Sequence, residues 1–365
     1  MFPDFDYAAR LDRARDLMTE QDIDVLMLSI GADLPYFSGY EAMPLERLTM
    51  LVVPRDGEAT MVVPRLEAPR VDRRGGAFKI RPWDETEDPI GIAAGLAGKP
   101  STAALGDPTW SVFLLGLQQA LPRAAFVSAT RLTKGLRIRK EAEEVRWLRS
   151  AAEATDRVVT RLDAVRFSER TERDISRLVG TMTLEEGHDL AAFAIVASGP
   201  NAASPHHEAG DRVIGTGETI VVDFGGRHRG YCSDTTRTFH TGEPSAQVTE
   251  AFAVLEAAQA AGRAAITPGV SAEAVDRATR TVIDDAGYGD RFIHRTGHGI
   301  GLEVHEHPYI VEGNDMPLEV GMAFSVEPGI YQPGSWGMRV EDIVVCGTDG
   351  VDELNRSPRN LHIVD

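Results

Sequence analysis

The sequence predicts two domains, a small α/β domain over residues 1–132 and a larger α+β domain over residues 133–365. Three observations carry this expectation. Helix-like and strand-like patterns alternate through the first part of the chain, the signature of an α/β unit. A charged stretch, RLTKGLRIRKEAEEVRWLRSAAEATDRVVTRL, then opens a long amphipathic helix and puts the junction near residues 131–140. Beyond it the chain runs as strands, two helices and strands again, a pattern that a distant internal duplication would produce. A length of 365 residues accommodates two or three domains at roughly 150 residues each.

Residues 7–21 space Ala8, Leu11, Ala14, Leu17 and Met18 on one helical face. Residues 24–29 (DVLMLS) read as a short apolar strand. Residues 48–54 and 60–64 flank RDGEA, a hairpin turn with Asp56-Gly57 at its tip. Further strands are expected at 77–81 and 102–106 with a helix between them. Another helix over 109–121 is stopped by Pro122. The sheet of this domain is expected to be mixed, and no nucleophile or metal constellation is found in it. The second domain is expected to hold helices from Lys140 and over 171–186, strands over 192–198 and 220–238, helices over 245–265 and 271–286, and strands over 292–345.

Composition narrows the function. Hydrophobic residues make up 42% and charged residues 26%, as in ordinary globular domains. The net charge of −18 repels a phosphate backbone, so no nucleic-acid partner is expected. No apolar run approaches the ~18 residues that span a bilayer, so no membrane association is expected. The start, MFPDFDYAARLDR, has no apolar core of a secretory signal. Cys232 and Cys346 are too few for a disulfide framework or a thiolate metal site, and a cytoplasmic location is the expectation.

The residues with chemical potential lie in the second domain. Asp223 ends the apolar run TIVVD, where a carboxylate is costly unless paired or bound to a metal. After Gly225-Gly226 the chain returns as RGYCSDTTRTF, and a hairpin would bring Asp234 opposite Asp223. Two such carboxylates require either a proton or a cation between them. The plainer reading is a turn aspartate and a salt-bridged aspartate. FIHRTGHGIGLEVHEHP then places His294, His298, His305 and His307 among Gly297, Gly299 and Gly301. It is neither a GxGxxG fingerprint nor an HExxH zinc helix. One histidine is usually structural, but this density among glycines points to a site. Glu327 closes AFSVEPG, and Glu341 lies in GMRVEDIVV, where strand alternation puts Arg339 on its face. That arginine would hold a carboxylate in place, or simply pair with Glu341 at the surface. The set Asp223, Asp234, His298, Glu327 and Glu341 contains four carboxylates, whose charge two divalent cations would neutralise. Oxygens with one imidazole suit Mn, Co, Fe or Zn, and carboxylates can bridge two metals ~3.5–4 Å apart.

The order Asp-(x10)-Asp, His, Glu, Glu, set in VVDFGG, YCSDTTRTF, HRTGHGIGLEVHE, FSVEPGIY and GMRVEDIVV, resembles the pita-bread metallopeptidases. It is most similar to the Xaa-Pro dipeptidases (prolidases) and Xaa-Pro aminopeptidases. The resemblance covers residues 140–365. More loosely, the first domain resembles the creatinase/prolidase N-terminal domain through YFSGY and LVVPRDGEATMVVPRLE. The resemblance implies two divalent metal ions per subunit, Mn2+ first, with Co2+ or Zn2+ as alternatives. Asp223 would bind one metal, Asp234 and Glu341 would bridge the pair, and His298 and Glu327 would complete the second.

By the same resemblance His206 and His305 would stand beside the reacting carbonyl, with His207 given no role. His294 would be a further active-site histidine, and Tyr231 and Arg339 would support the ligands. The implied reaction is hydrolysis of the bond before proline in a small peptide by a metal-activated hydroxide, with Glu327 shuttling the proton. A tertiary amide offers no N–H, so recognition must use the ring and the carboxylate of the leaving residue. The alternatives are a hydrolase of the same fold acting on a non-peptide amide, such as a compatible-solute derivative, and a metal-free or non-catalytic relative. A homodimer is also implied, because related proteins use the first domain to cover the neighbouring subunit's site. Cys232 reads as a small buried hydrophobe, and Trp83, Trp110, Trp147 and Trp336 as packing residues, with Trp336 at the cleft border as the alternative.

Overall fold

The chain's computed structural model describes residues 2–365 and divides into two compact units, one ending at Arg137 and the other spanning Ile138–Asp365. The first contains α1 (Tyr7–Glu20), β1 (Val25–Leu28), α2 (Asp33–Ser38), β2 (Met50–Pro54), β3 (Thr60–Pro64), β4 (Lys79–Trp83), α3 (Pro89–Ala97), β5 (Thr102–Leu105), α4 (Ser111–Ala120), β6 (Ala125–Ser128) and α5 (Thr130–Arg137). Its single sheet has the order β4-β3-β2-β1-β5-β6. Pairing is mixed for a local reason. The short turn between β2 and β3 makes them antiparallel, whereas α4 carries the chain from β5 to its parallel neighbour β6. Val25, Met27, Val52, Val62 and Trp83 form its core with Phe113 and Leu117 of α4.

Three elements of this unit had no clear sequence pattern. The helix α2 is a turn and a half long, and Gly39 closes it at φ 64°. A side chain there would meet the Tyr7 hydroxyl and the Arg74 guanidinium. The strand β6 is only four residues, with no residue fully buried. The boundary expected at residues 132 and 133 falls inside α5, whose charges read as the start of the next helix. Leu132 and Thr133 are buried, the Tyr36 hydroxyl donates to the Leu136 carbonyl at 3.2 Å, and Arg137 pairs with Asp33 at 2.7 Å.

The second unit contains α6 (Ala142–Leu162), α7 (Glu172–Glu185), β7 (Leu190–Ser198), β8 (Thr219–His228), β9 (Tyr231–Cys232), β10 (Thr235–Thr241), α8 (Ala246–Ala264), α9 (Ala272–Asp285), β11 (Gly297–Gly299), β12 (Glu306–Ile310), β13 (Ala323–Val326), β14 (Gly329–Gln332), β15 (Trp336–Arg339), β16 (Asp342–Cys346), β17 (Val351–Glu353) and β18 (His362–Val364). Capping boxes start α6 (Glu141 with Glu144) and α7 (Thr171 with Asp174), and Ser245 and Ser271 cap α8 and α9. One five-stranded sheet has the order β18-β10-β8-β7, with β9 on β8, the other five-stranded sheet has the order β12-β11-β13-β16-β17, and β14 pairs with β15 as a separate two-stranded sheet. Two helices followed by strands that pair antiparallel thus occur twice in sequence, the arrangement that a duplication would leave, and β18 joins the first sheet parallel to β10.

Alternation decides which side chains face the site. Ile220, Val222 and Phe224 of β8 pack with Val158, Leu162, Ile175 and Val179 of the helices, so Val221 and Asp223 take the opposite face. Phe324 and Val326 of β13 pack with Val275 and Ile310, which turns Ser325 and Glu327 the other way. Each such buried apolar side chain contributes roughly 1.5–3 kcal/mol and fixes the register that aims its polar neighbour. The two sheets meet at a bridge between Thr236 and Glu341. Trp336 is buried in an apolar cluster, so it packs and does not border the cavity, while Trp110 is 38% exposed and stacks on Phe113. Among the described residues no helix is long and apolar enough to cross a membrane.

Candidate active site

A cavity of about 510 Å³ opens on the polar faces of these strands. Asp223, Asp234, His298, Glu327 and Glu341 line it together with His206, His294, His305 and Arg339. All five residues expected to hold metals therefore converge, although they span more than a hundred positions of the chain. Their ligand atoms form overlapping triplets, Asp223-Asp234-Glu341, His298-Glu327-Glu341 and Asp234-His298-His305, each within 4.8 Å. Asp234 lies one residue before β10, and Thr236 is the residue of β10 directly opposite Asp223.

Each ligand is aimed by neighbours. Arg339 donates to Asp223 Oδ2 at 2.6 Å and to Thr236 Oγ1 at 3.1 Å, and Thr236 donates to Glu341 Oε2 at 2.7 Å. Arg339 therefore pairs with Asp223, and the simple surface pair with Glu341 is not formed. His298 Nδ1 faces the Gly299 carbonyl at 3.1 Å, so Nε2 is the nitrogen presented to Glu327 Oε1 (3.2 Å) and Asp234 Oδ2 (3.6 Å). Ser325 accepts the His298 N–H at 3.0 Å and donates to Glu327 Oε1 at 3.0 Å. The glycines around His298 are required by close approach. A Cβ at Gly297 would overlap the Ser325 carbonyl, and one at Gly299 the His307 carbonyl.

The electrostatics leave this cluster short of positive charge. Burial raises the pKa of Asp223, and the Glu327 charge adds to it against the pull of Arg339. Burial raises Asp234 well above the usual range, reinforced by Glu341 and Asp223. Burial does the same to Glu341, reinforced by Glu327 and Asp223. In Glu327 burial is outweighed by the hydrogen bond and charge of His298, which bring it down to about 2. Two carboxylate oxygens, Asp223 Oδ1 and Glu341 Oε1, are buried without any hydrogen-bond partner. A buried carboxylate oxygen left bare is costly, and here it belongs to residues that share one triplet. Oxygen donors, an imidazole nitrogen and two waiting lone pairs fit divalent cations.

The histidines occupy distinct places. His294 Nδ1 faces the Arg295 carbonyl at 2.8 Å, so it carries the proton, and Nε2 accepts the Tyr331 hydroxyl at 2.8 Å. Burial keeps the His294 pKa below its usual value. Tyr331 in turn accepts from Arg339 at 2.8 Å, and burial pushes its own pKa up to about 12. His305 stacks against His298 with ring centroids 3.9 Å apart, and burial together with the His298 charge lowers its pKa to about 4. His206 follows Pro205, whose carbonyl lies 3.5 Å from an Arg339 nitrogen. His207 anchors that loop by donating to buried Glu172 at 2.8 Å. Glu172 also accepts from Ser198 N–H and Oγ, both at 2.8 Å, and from Asn201 at 3.0 Å.

The Tyr231 hydroxyl donates to Glu144 Oε1 at 2.8 Å at the start of α6, and Tyr231 does not line the cavity. The tyrosine that contacts the arginine is Tyr331, which the sequence reading passed over together with Thr236 and Ser325. Behind Glu341, fully buried Arg237 donates to the Glu341 carbonyl at 2.7 Å and to Asp342 Oδ1 at 2.7 Å. Cys232 is buried and free, with burial raising its thiol pKa to about 12, as suits an inert packing residue.

Comparison with known proteins agrees with this geometry. Residues 146–348 match the model of metallopeptidase family M24, and residues 10–139 match the creatinase/prolidase N-terminal domain. The chain is 43% identical to the "Probable dipeptidase PepE" of Mycobacterium tuberculosis, covering 98% of this chain and 96% of that protein. It is 35% identical to the Xaa-Pro dipeptidase of Lactobacillus helveticus over 97% and 98% of the two chains. The crystal structure of a prolidase from Thermococcus sibiricus superposes with a TM-score of 0.93 at 32% identity, covering 100% of both chains. With its acid-rich cluster set on the match, the chain belongs to metallopeptidase family M24, as a pita-bread catalytic domain preceded by a creatinase/prolidase N-terminal domain.

Proposed function

We propose that this metallopeptidase hydrolyses the peptide bond preceding proline in small Xaa-Pro peptides, using a pair of divalent cations held by Asp223, Asp234, His298, Glu327 and Glu341. The observation that carries the reading is the pair of bare oxygens, Asp223 Oδ1 and Glu341 Oε1, buried inside overlapping ligand triplets. Such cations supply a nucleophilic oxygen at neutral pH and an electrophile for the scissile carbonyl. Four carboxylates balance two of them, and the oxygen-rich set with one imidazole favours Mn2+ over thiolate-seeking metals. Glu327 takes the proton of the attacking water and delivers it to the leaving nitrogen. Its position is set by Ser325. His206 and His305 donate hydrogen bonds to the reacting carbonyl. Arg339 and Thr236 keep Asp223 and Glu341 from turning away, and His294 supports Arg339 through Tyr331.

A cavity of about 510 Å³ suits a dipeptide-sized ligand. Its Phe193, Ile195 and Val304 offer apolar surface to a proline ring, which has no N–H to satisfy. The free cysteines fit a reducing, cytoplasmic setting. None of the metal-capable clusters among the described residues lies in the N-terminal unit, so its role is sought in a homodimer, where it would shield the partner's site. The deciding assay compares Ala-Pro with Ala-Ala in the Mn2+-loaded protein. A kcat/KM far higher for Ala-Pro is expected, and equal values would overturn the Xaa-Pro assignment in favour of another amide.

A further inference from the structure

His206 is a reacting group on the reading above, yet nothing in its own side chain fixes it. Its ring lines the cavity and forms no hydrogen bond and no ion pair among the described residues. It rides on the loop between β7 and β8. The first part of that loop, Gly199–Ala203, is a short 3-10 turn packed on β15, where a Cβ at Gly337 would overlap the Ala202 carbonyl. The part that carries His206 belongs to no helix or strand. On the cavity side the Pro205 carbonyl lies 3.5 Å from an Arg339 nitrogen, a weak contact. On the far side the loop meets Glu172, a carboxylate in the first turn of α7 that does not line the cavity.

Glu172 is 0% exposed, and its two oxygens gather both ends of the loop. Oε1 accepts the Ser198 N–H and hydroxyl, both at 2.8 Å, and Asn201 Nδ2 at 3.0 Å. Oε2 accepts from His207 Nε2 at 2.8 Å and from the Gly210 N–H at 3.4 Å. The Ser198 hydroxyl in turn accepts from Arg212 at 2.6 Å, and the Glu172 N–H donates to the Arg212 carbonyl at 3.0 Å, which closes the loop at its base. Burial would raise the Glu172 pKa, but the bonds from His207, Ser198 and Asn201 outweigh it and bring the pKa below its usual value. The acid is therefore ionised at neutral pH, and each bond to it is charge-assisted. We propose that Glu172 and His207 are positioning residues for His206: the bond between them fixes the backbone one residue from the reacting histidine and so sets the distance from its ring to the scissile carbonyl. The inference rests on the reading of His206 as a donor to that carbonyl. A donor to a developing oxyanion acts over a window of about 2.7–3.1 Å. A loop that drifts by ~1 Å therefore loses rate while the substrate still binds.

The test is a double-mutant cycle on the Mn2+-loaded enzyme with Ala-Pro, with kcat and KM read separately. The His207 side chain is 21% exposed, so its substitution leaves the core intact. His206→Ala should lower kcat about 100-fold. His207→Ala should lower kcat about tenfold and change KM less than about threefold. His207→Gln, whose amide nitrogen can donate to the same oxygen, should recover most of that loss. In the His206→Ala background His207→Ala should cost less than about twofold more, because the anchor has nothing left to position. Glu172→Gln, which keeps the shape and removes the charge, should repeat the pattern. Bound Mn2+ per chain should be the same in every variant. Losses that multiply in the double variant would show that His207 acts independently of His206 and would overturn the proposal. So would a lowered Tm with unaltered kcat in His207→Ala, the mark of a contact that only stabilises the fold. No turnover of Ala-Pro by the unaltered enzyme, or an unaltered kcat in His206→Ala, would overturn the reading of the site and this inference together; turnover with multiplying losses would overturn this inference alone.

Discussion

Glu341 and Asp342 are consecutive, and both are buried, at 1% and 0% exposure. Their surroundings are opposite. Asp342 accepts from Arg237 at 2.7 Å, from Gln259 at 2.9 Å and from Arg359, so burial, which would raise its pKa, is outweighed by two guanidinium groups and the pKa falls. Glu341 accepts one hydroxyl, keeps Oε1 bare and faces three other carboxylates, so its pKa rises. Alternation along β16 sends the two side chains to different faces, one to a counter-charge supplied by the protein and one to the cavity. A fold that completes one acid and leaves its neighbour incomplete marks the second for a charge that comes from outside. Burial alone therefore says little about an acidic residue; the donor count around it says which kind it is.

The largest effect that would test the contrast is on rate. Glu327→Gln keeps the size and the Ser325 contact but loses an anionic metal ligand and cannot carry a proton, and kcat should fall on the order of 10²–10⁴-fold. Thermal unfolding of the metal-free variant should stay close to that of the parent. Chelation should abolish turnover and added Mn2+ should restore it in the parent. Full activity in metal-stripped protein would mean that the incomplete cluster needs no external charge.

Next comes stability. Asp342→Ala removes the carboxylate paired with fully buried Arg237, while Arg359 keeps Glu353, and breaking a buried pair in this way costs about 3–5 kcal/mol, measurable by denaturant unfolding. Added Mn2+ should not repair the deficit beyond the stabilisation it gives the parent. An Asp342→Ala protein as stable as the parent would show that the satisfied cluster is dispensable.

The two acids should also respond to pH with opposite sign. For Asp234 and Glu341 the folded pKa lies above the ordinary values of 3.8 and 4.5, so the stability they contribute is complete below those values and is lost as pH rises through the folded ones. For Asp342 the folded pKa lies below 3.8, so its contribution is present above that value and is lost as pH falls through the folded one. In metal-free protein Tm should therefore decline from about pH 5 toward neutrality, where Asp342 is already ionised in both states. Glu341→Gln should flatten the decline. A Tm that rises over this window in the metal-free parent would contradict the assignment of Glu341 to the incomplete cluster.

Much of the incomplete cluster was legible in the sequence because its members break a local rule. Asp223 ends an apolar run, Glu327 follows another, and His298 sits between glycines, so each is conspicuous by its neighbours. The satisfied cluster was invisible for the converse reason. Arg237 and Asp342 lie 105 positions apart, and neither stands out in a segment already rich in charge. Thr236 and Ser325 look like ordinary strand residues; their role exists only once β10 and β13 bring their hydroxyls to Glu341 and Glu327. Tyr231 was assigned by resemblance, and its contact with Glu144 was not legible in the sequence. In the N-terminal unit, α2 and β6 are too short for periodicity to register, and α5 carries the same charged pattern as the helix that follows it.

The smallest effect expected concerns the link between the two histidine-bearing sides of the site. Tyr331 donates to His294 Nε2 and accepts from Arg339, each at 2.8 Å, and is itself 2% exposed. Tyr331→Phe keeps the ring and removes only the oxygen. His294 Nε2 then loses its donor, and the Arg339 nitrogen is left with the Pro205 carbonyl at 3.5 Å, a weak contact. Asp223 and Thr236 still hold the rest of the guanidinium, so Arg339 should shift rather than leave. The expected cost is about 1–2 kcal/mol of stability, read from denaturant unfolding, with a kcat/KM decrease of roughly three- to tenfold. A loss as large as that of Glu327→Gln would place the phenol among the reacting groups. Unchanged stability and rate would mean that Asp223 and Thr236 alone fix Arg339, and that His294 stands in the cavity without support from the arginine side.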